Sequence, residues 1–250
     1  TGCAMAAGVI SQIISAAYQE DPTNELKRND ISVIIALTSV KNDPESSSWH
    51  TNAKGIRYSS VYGFGRLDAG KAVELAKKYK HRELANDASN TAYGLKKVGS
   101  SFRKSSLPMS LPSYLSGFSD LVIELPNSSI EYIEFVEVIL SFSKNISEYS
   151  LLRIFLKSPS GTERMIKDVA PIVEQNLQHQ YRIAARDFFG ESASGNWTVR
   201  ILHENIGRND YQLTAASLFV AGYTTDDFPQ QVDSQGANPF SDYSKVDAEL

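Results

Sequence analysis

Four histidines, one cysteine, two neighbouring glutamates and three Asn-x-Ser/Thr triplets are the first places to look for chemistry in this chain. His50, His81, His179 and His203 all fall in loops or at the ends of expected elements, with no second His or carboxylate at metal spacing. Their setting reads as solvated surface histidine rather than ligand or general base. Glu134 and Glu137 share one expected strand, where a separation of three residues points the side chains to opposite faces. They cannot act as an acid–base dyad and are read as solvated or cross-strand charges. Cys3 has no partner for an internal disulfide and reads as a small buried thiol. The triplets begin at Asn127, Asn145 and Asn196. Asn196 directly precedes a tryptophan expected to be buried, so Asn127 and Asn145, in Ser-rich turn contexts, are the glycosylation candidates.

The elements that carry these residues fall into two textures. From Ala6 to Tyr18, apolar residues at Ala6, Val9/Ile10, Ile13/Ile14 and Ala17 follow one helical stripe, broken by Asp21-Pro22. Ile31, Ile34, Ile35 and Thr38, widened by Val33 and Leu37, predict a second buried helix over about 27–39, with a strand as the alternative because so many residues are β-branched. Residues 41–60 are rich in Ser, Asn, Asp and Pro and read as loop, pinned by Trp49. Tyr62-Gly63-Phe64-Gly65 is a tight turn, and Asp68 suits the N-cap of a helix over 69–80.

Beyond His81 serine recurs through 98–119 as in a linker, and the period then becomes two. Val136, Val138, Leu140 and Phe142 alternate with polar neighbours, as do Leu152, Ile154 and Leu156, then Trp197, Val199 and Ile201, and last Leu218 and Val220. Turn signals at Ser158-Pro159-Ser160-Gly161 and between Gly190 and Gly195 separate them, so a sandwich or jelly roll is expected. The organisation is therefore residues 1–82 helical, 83–224 all-β, and 225–250 an acidic tail expected to be disordered.

Composition sets the outer limits. The 250 residues are 42% hydrophobic and 22% charged, with mean hydropathy −0.27, which suits a packed soluble fold. Twenty-five basic against 29 acidic side chains leave no excess to neutralise phosphates, so nucleic acid is not an expected partner. No apolar run reaches the roughly 18 to 20 residues of a membrane span. The opening Thr-Gly-Cys-Ala-Met-Ala-Ala-Gly has no initiator Met and no basic n-region, as in a chain cut from a longer one.

The run from Trp49 to Ala69 resembles the end of the subtilisin-like catalytic domain of kexin and furin type proprotein convertases. Trp49, Thr51, Asn52, Gly55, Tyr62, Gly63, Phe64, Gly65, Asp68 and Ala69 all fall in register, while a His usual in the turn is Ser60 here. The β region is similar to the P domain that follows the protease in that family. Its marks are the strand around Val136–Phe142, the run from Leu152 into the Ser158-Pro159-Ser160-Gly161-Thr162 turn, and the Gly190-Glu191…Gly195-Asn196-Trp197 signature. Phe188-Phe189 replaces a usual aromatic pair containing Trp, keeping bulk and losing an indole donor.

The resemblance implies the fold class: C-terminal helices of a subtilisin-like α/β catalytic domain, then an all-β jelly-roll P domain. It also implies a serine endopeptidase that processes proproteins after basic residues. Matching the family's Ala-Ala-Gly to Ala6-Ala7-Gly8 places the nucleophilic Ser immediately before Thr1, so none of the Asp-His-Ser triad lies in this chain and the fragment alone is expected to be inactive. A second register would put Cys3 at the nucleophile position, but needs a two-residue deletion that turns the helix by about 200°. The family's proline after the nucleophile falls at Ala4, which loosens the first turn without abolishing it.

What the resemblance leaves to this segment is support: bracing the catalytic Ser loop and supplying a stabilising P domain. The structural residues expected to do so are Trp49, Tyr62, Gly63, Gly65, Asp68, Gly161 and Trp197. Calcium is implied as cofactor, with ligands upstream and no metal site in this chain. The implied partners are the upstream catalytic domain of the same protein and proprotein substrates, in the secretory pathway, at the Golgi membrane or outside the cell. Ala4 and Ser60 keep a second reading open, a non-catalytic pseudoprotease or P-domain binding module.

Overall fold

Small and apolar residues at helical spacing wind Gly2–Glu20 into α1, and Asp21 stops it. The Asp21 amide still reaches back to Ala17 O at 3.0 Å, while its carboxylate accepts from Thr23 N at 3.0 Å and Thr23 Oγ1 at 2.6 Å. Lys80 Nζ, 2.7 Å away, together with Thr23 holds the Asp21 carboxyl down to about 2. In the computed structural model, residues 2–82, 108–110, 118–143, 152–168, 180–203 and 212–231 are described. They divide into two units, one of residues 2–51, 55–82 and 228–231, the other of 52–54 and the described residues from 108 to 227.

In the first unit Arg28–Thr38 forms α2, with Val33, Ile34, Ala36 and Leu37 fully buried. Burial on one helical face overrides the strand preference of its β-branched residues. Asp30 closes the start of α2 by accepting from Lys27 N at 2.7 Å. Asp68 caps α3, Ala69–Ala76, by accepting from Lys71 N at 3.0 Å; the expected helix over 69–80 ends earlier, and Tyr79 N reaches Leu75 O at 2.9 Å in the turn beyond it. Residues 41–60 are not all loop. Two short strands, β1 Trp49–Thr51 and β2 Arg57–Ser59, pair antiparallel with Trp49 opposite Ser59.

The second unit is a β-sandwich. Its strands are β3 Met109–Ser110, β4 Ser119–Leu125, β5 Tyr132–Phe142, β6 Leu152–Lys157, β7 Glu163–Lys167, β8 Gln180–Ala185, β9 Gly195–His203 and β10 Gln212–Tyr223. They form two antiparallel sheets ordered β3-β10-β5-β8 and β4-β9-β6-β7, the interleaved order of a jelly roll. Val136, Val138 and Leu140 from one sheet meet Ile123, Ile154, Leu156, Val199 and Ile201 from the other, with Trp197 wholly buried among them. The outer face of the second sheet is charged, with Arg200 of the inner strand β9 alternating with buried Val199 and Ile201. Asp120 accepts from Arg200 Nε at 2.8 Å and Nη2 at 2.9 Å, and this pairing holds the Asp120 carboxyl below its usual range.

Four expectations are corrected here. Glu134 is buried, not solvated, and lies 3.7 Å from Arg186 Nη1, whereas Glu137 does face Arg182 at 3.5 Å. Glu134 shares the parity of the buried Val136 and Val138, and it is the unpaired residue of a bulge in β5, since Ala221 and Gly222 of β10 face Phe135 and Ile133. Cys3 is exposed, as is most of the first half of α1. Neither His50 nor His81 is a solvated histidine: His50 lies in β1 with its ring nitrogens shielded and its ring 5.8 Å from that of Tyr58, and His81 Nδ1 lies 2.6 Å from Oδ2 of the buried Asp30. Lastly, residues 225–231 are held on the fold: Phe228 is buried against Tyr79 and under the Arg82 guanidinium at 4.4 Å, and Gln231 accepts from Arg57 N at 2.8 Å and donates to Ala36 O at 3.0 Å. The rest of the expected tail, 232–250, lies outside the described residues, as do most of the Ser-rich stretch, Asn145 and His179.

Candidate functional site

The sequence-predicted residues gather at two places, one in each unit. In the first, Ser59 sits fully buried at the end of β2 and exchanges backbone hydrogen bonds with Gly63, N to O at 2.8 Å and back at 2.9 Å. Ser59 Oγ also accepts from Val61 N at 3.1 Å and Tyr62 N at 3.0 Å, so the whole turn hangs on one hydroxyl. The Tyr62 ring stacks on Trp49 at 6.0 Å between centroids, and Trp49 Nε1 donates to Asn42 O at 3.0 Å and Asp43 O at 3.1 Å. These contacts tie loop 42–43 to the turn at 59–65.

Gly65 shows why this turn tolerates no side chain. Its φ is +120°, and a Cβ there would stand 2.2 Å from Val40 O, where Val40 and Arg66 exchange hydrogen bonds of 2.9 and 3.0 Å. Gly65→Ala is expected to break that bridge and cost at least roughly 1–3 kcal/mol from the backbone strain alone. A lowered urea midpoint with loss of amide protection at Val40 and Arg66 checks it; unchanged protection would show that the bridge gives way without consequence.

The second place is a buried carboxylate. Glu191, in the bend before β9, is 1% exposed. Ser158 Oγ donates to its Oε2 at 2.5 Å, Thr162 Oγ1 donates to Oε1, and Ala53 N reaches Oε1 at 3.2 Å and Thr162 Oγ1 at 2.9 Å. The Ser158–Thr162 turn is itself closed by Gly161 N to Ser158 O at 3.0 Å and Ser158 N to Thr162 O at 2.8 Å. Beside it Asn52 Nδ2 donates to Phe189 O at 2.8 Å and Asp187 O at 3.1 Å, and Lys54 pairs with Asp226. Thus residues 52–54 are built into the sandwich by side chains that donate and accept at every step. An open, polar cleft of about 310 Å³ lies over this knot, lined by Lys54, Glu131, Ser160, Glu191, Ser192 and Asp226.

Trp197, the third residue of β9, closes the core: its Nε1 donates to Ala193 O at 2.9 Å and its ring meets Phe188 edge-on at 5.2 Å. Phe188 and Phe189 are both fully buried, so the aromatic pair packs without an indole at either position. Gly195 lies so close to Pro159 that a Cβ would come within 2.8 Å of Pro159 Cβ, which joins the two motifs sterically. Sequence reasoning singled out Gly161 and Trp197 but missed Glu191 and Asn52 as the polar hubs. A Ser/Thr-flanked turn and an acid inside an otherwise small and apolar signature were the signals present. Asn127 is exposed at the turn after β4. Among the described residues no three His, Cys, Asp or Glu side chains cluster as metal ligands, and no helix is long and apolar enough to cross a membrane.

Residues 134–219 match the family model of the proprotein convertase P-domain. Over 203 residues the chain is 26% identical to proprotein convertase subtilisin/kexin type 6 of Homo sapiens, covering 80% of this chain and 20% of that protein. It is 27% identical over 204 residues to the human type 5 protein, covering 80% and 10%, and 26% identical over 216 residues to furin-like protease 2 of Drosophila melanogaster, covering 81% and 12%. The chain therefore spans a fifth or less of the length of these relatives. Among solved structures, a serine protease of Aeromonas sobria shares the fold with a TM-score of 0.61 at 19% identity, over 80% of this chain and 41% of that one. The resemblance to proprotein convertases, with their P domain, stands on these matches.

Proposed function

We propose that this chain is the C-terminal part of a subtilisin-like serine endopeptidase of the proprotein convertase type, in which residues 1–82 complete the catalytic domain and 83–224 are the P domain. One observation carries the catalytic-domain half of this reading: α1 leaves Met5 66%, Ile14 44% and Tyr18 59% exposed, although the helix is apolar enough for a core. Such a surface suits a helix covered by the upstream part of the same protein. In the full protein the nucleophilic Ser would directly precede Thr1, at the N-terminal end of α1, where the free amides favour developing negative charge. The Ser59–Gly65 turn would brace the polypeptide around it, and Trp49, Tyr62, Gly63, Gly65 and Asp68 act as positioning residues.

On this reading the substrates are proproteins cut after basic residues, in the secretory pathway, and the carboxylates that read those residues lie upstream. Calcium is the cofactor the family resemblance implies, with its ligands expected upstream of this chain. The test is to treat the full-length protein with a fluorophosphonate that labels activated serine. Labelling at the Ser before Thr1, abolished by its change to Ala, is the expected result. A folded protein that takes no label would instead favour the non-catalytic binding reading that Ala4 and Ser60 suggest.

A further inference from the structure

The turn between β4 and β5 carries the triplet Asn127-Ser128-Ser129, which no role in the core or the two knots uses. Asn127 is exposed and holds φ +60°, the left-handed region that Asn tolerates better than most side chains. Pro126 before it and Ser129 at the third position are exposed as well. Ser128 Oγ accepts from Ile130 N at 3.2 Å, which turns the chain back toward β5 and leaves the triplet at the tip. Asn196 is exposed too, but it is held in a strand, opposite Glu124 of β4. It lies within β9, whose backbone is paired with β4 on one side and β6 on the other, and its neighbour Trp197 anchors the core.

We infer that Asn127 is an N-glycan acceptor, a modification site on the exposed β4–β5 tip of the sandwich. The reaction is transfer of an oligosaccharide from a lipid pyrophosphate donor. The Asn127 side-chain nitrogen attacks the anomeric carbon, the C–N bond forms as the C–O bond to pyrophosphate breaks, the lipid pyrophosphate leaves with the electron pair, and the amide proton passes to a base of the transferase. The hydroxyl of Ser129, two residues on, is the group the transferase requires. At the tip a glycan projects into solvent without displacing any strand pairing, so the folded sandwich accommodates it.

This inference rests on the secretory reading above, and the experiment separates the two. The complete protein is sent into the secretory pathway of a eukaryotic cell by a heterologous signal sequence, so that its own routing plays no part. The translocated chain, secreted or retained, is treated with an N-glycosidase in heavy-oxygen water and mapped by mass spectrometry. Heavy-labelled Asp at position 127 is the expected result, with a matching mobility shift that Ser129→Ala removes. Ser129→Ala is preferred to Asn127→Gln because it leaves the left-handed residue unchanged and so spares the turn. Unmodified Asn127 in the translocated chain would overturn the proposal, including the case where Asn196 alone is modified. A separate run with the protein's own leader reports on its compartment.

Discussion

Trp197→Ala is expected to destabilise the β-sandwich of this protein by a large share of its folding free energy. Trp197 is wholly buried, its indole NH donates to Ala193 O at 2.9 Å, and its ring packs edge-on to Phe188 at 5.2 Å between the two sheets. Truncation removes the largest side chain of the core and leaves a cavity that eight strands cannot close, at a cost of about 3–5 kcal/mol. Domains of this size are stable by only roughly 5–15 kcal/mol, so the loss consumes a large share of the margin. It also strands the Ala193 carbonyl in the core. Urea unfolding of the full-length protein, followed by circular dichroism, should show an early transition, and the protease activity proposed for the full-length protein should fall with it, although Trp197 belongs to the other unit from the residues next to the proposed nucleophile. Trp197→Phe keeps most of the volume and loses only the donor, so its transition should move much less. Full protease activity in Trp197→Ala would refute the supporting role assigned to this core.

The parts of this fold that were legible in the sequence are those set by local periodicity. The alternation at Val136, Val138 and Leu140 predicted a strand because a half-buried sheet repeats every two residues, and Asp68 announced α3 because only a short acceptor at that point satisfies its first amides. What periodicity could not give is pairing between distant residues. Asp30 and His81 are 51 positions apart, and neither carries a local sign of the other. Asn52 reaches Phe189 O across 137 positions, and Glu191 collects donors from two other segments. Glu134 was misread for a related reason. Glu134 is itself the extra residue of a bulge in β5, visible only against β10, where Ala221 faces Phe135 and Gly222 faces Ile133, a pairing that nothing local to β5 announces. Phe228 was hidden by its setting, one aromatic residue in an acidic run, and only Tyr79 and Arg82 explain why it is held.

Glu191 is where that illegible part of the structure concentrates, and its removal is the second large effect expected. Three groups point at one buried carboxylate: Ser158 Oγ, Thr162 Oγ1 and Ala53 N. Glu191→Ala strips Ser158 Oγ and Thr162 Oγ1 of their acceptor and leaves Ala53 N only the Thr162 hydroxyl, and an orphaned buried donor costs about 1–3 kcal/mol, more where the lost partner was charged. The summed expectation is roughly 3–5 kcal/mol, with the Ser158–Thr162 turn and residues 52–54 released together. Glu191→Gln separates hydrogen bonding from charge. Its carbonyl oxygen can still accept from Thr162 and Ala53, and the Ser158 hydroxyl can rotate to accept from the new NH2. If geometry rather than charge holds the knot, Gln should recover more than half of the stability that Ala loses. Hydrogen exchange provides the local reading: the amides of Ala53, Ser158 and Gly161 should lose protection in the Ala variant before the β5–β10 ladder does. Equal protection of those amides in wild type and Glu191→Ala would show that the carboxylate merely fills space.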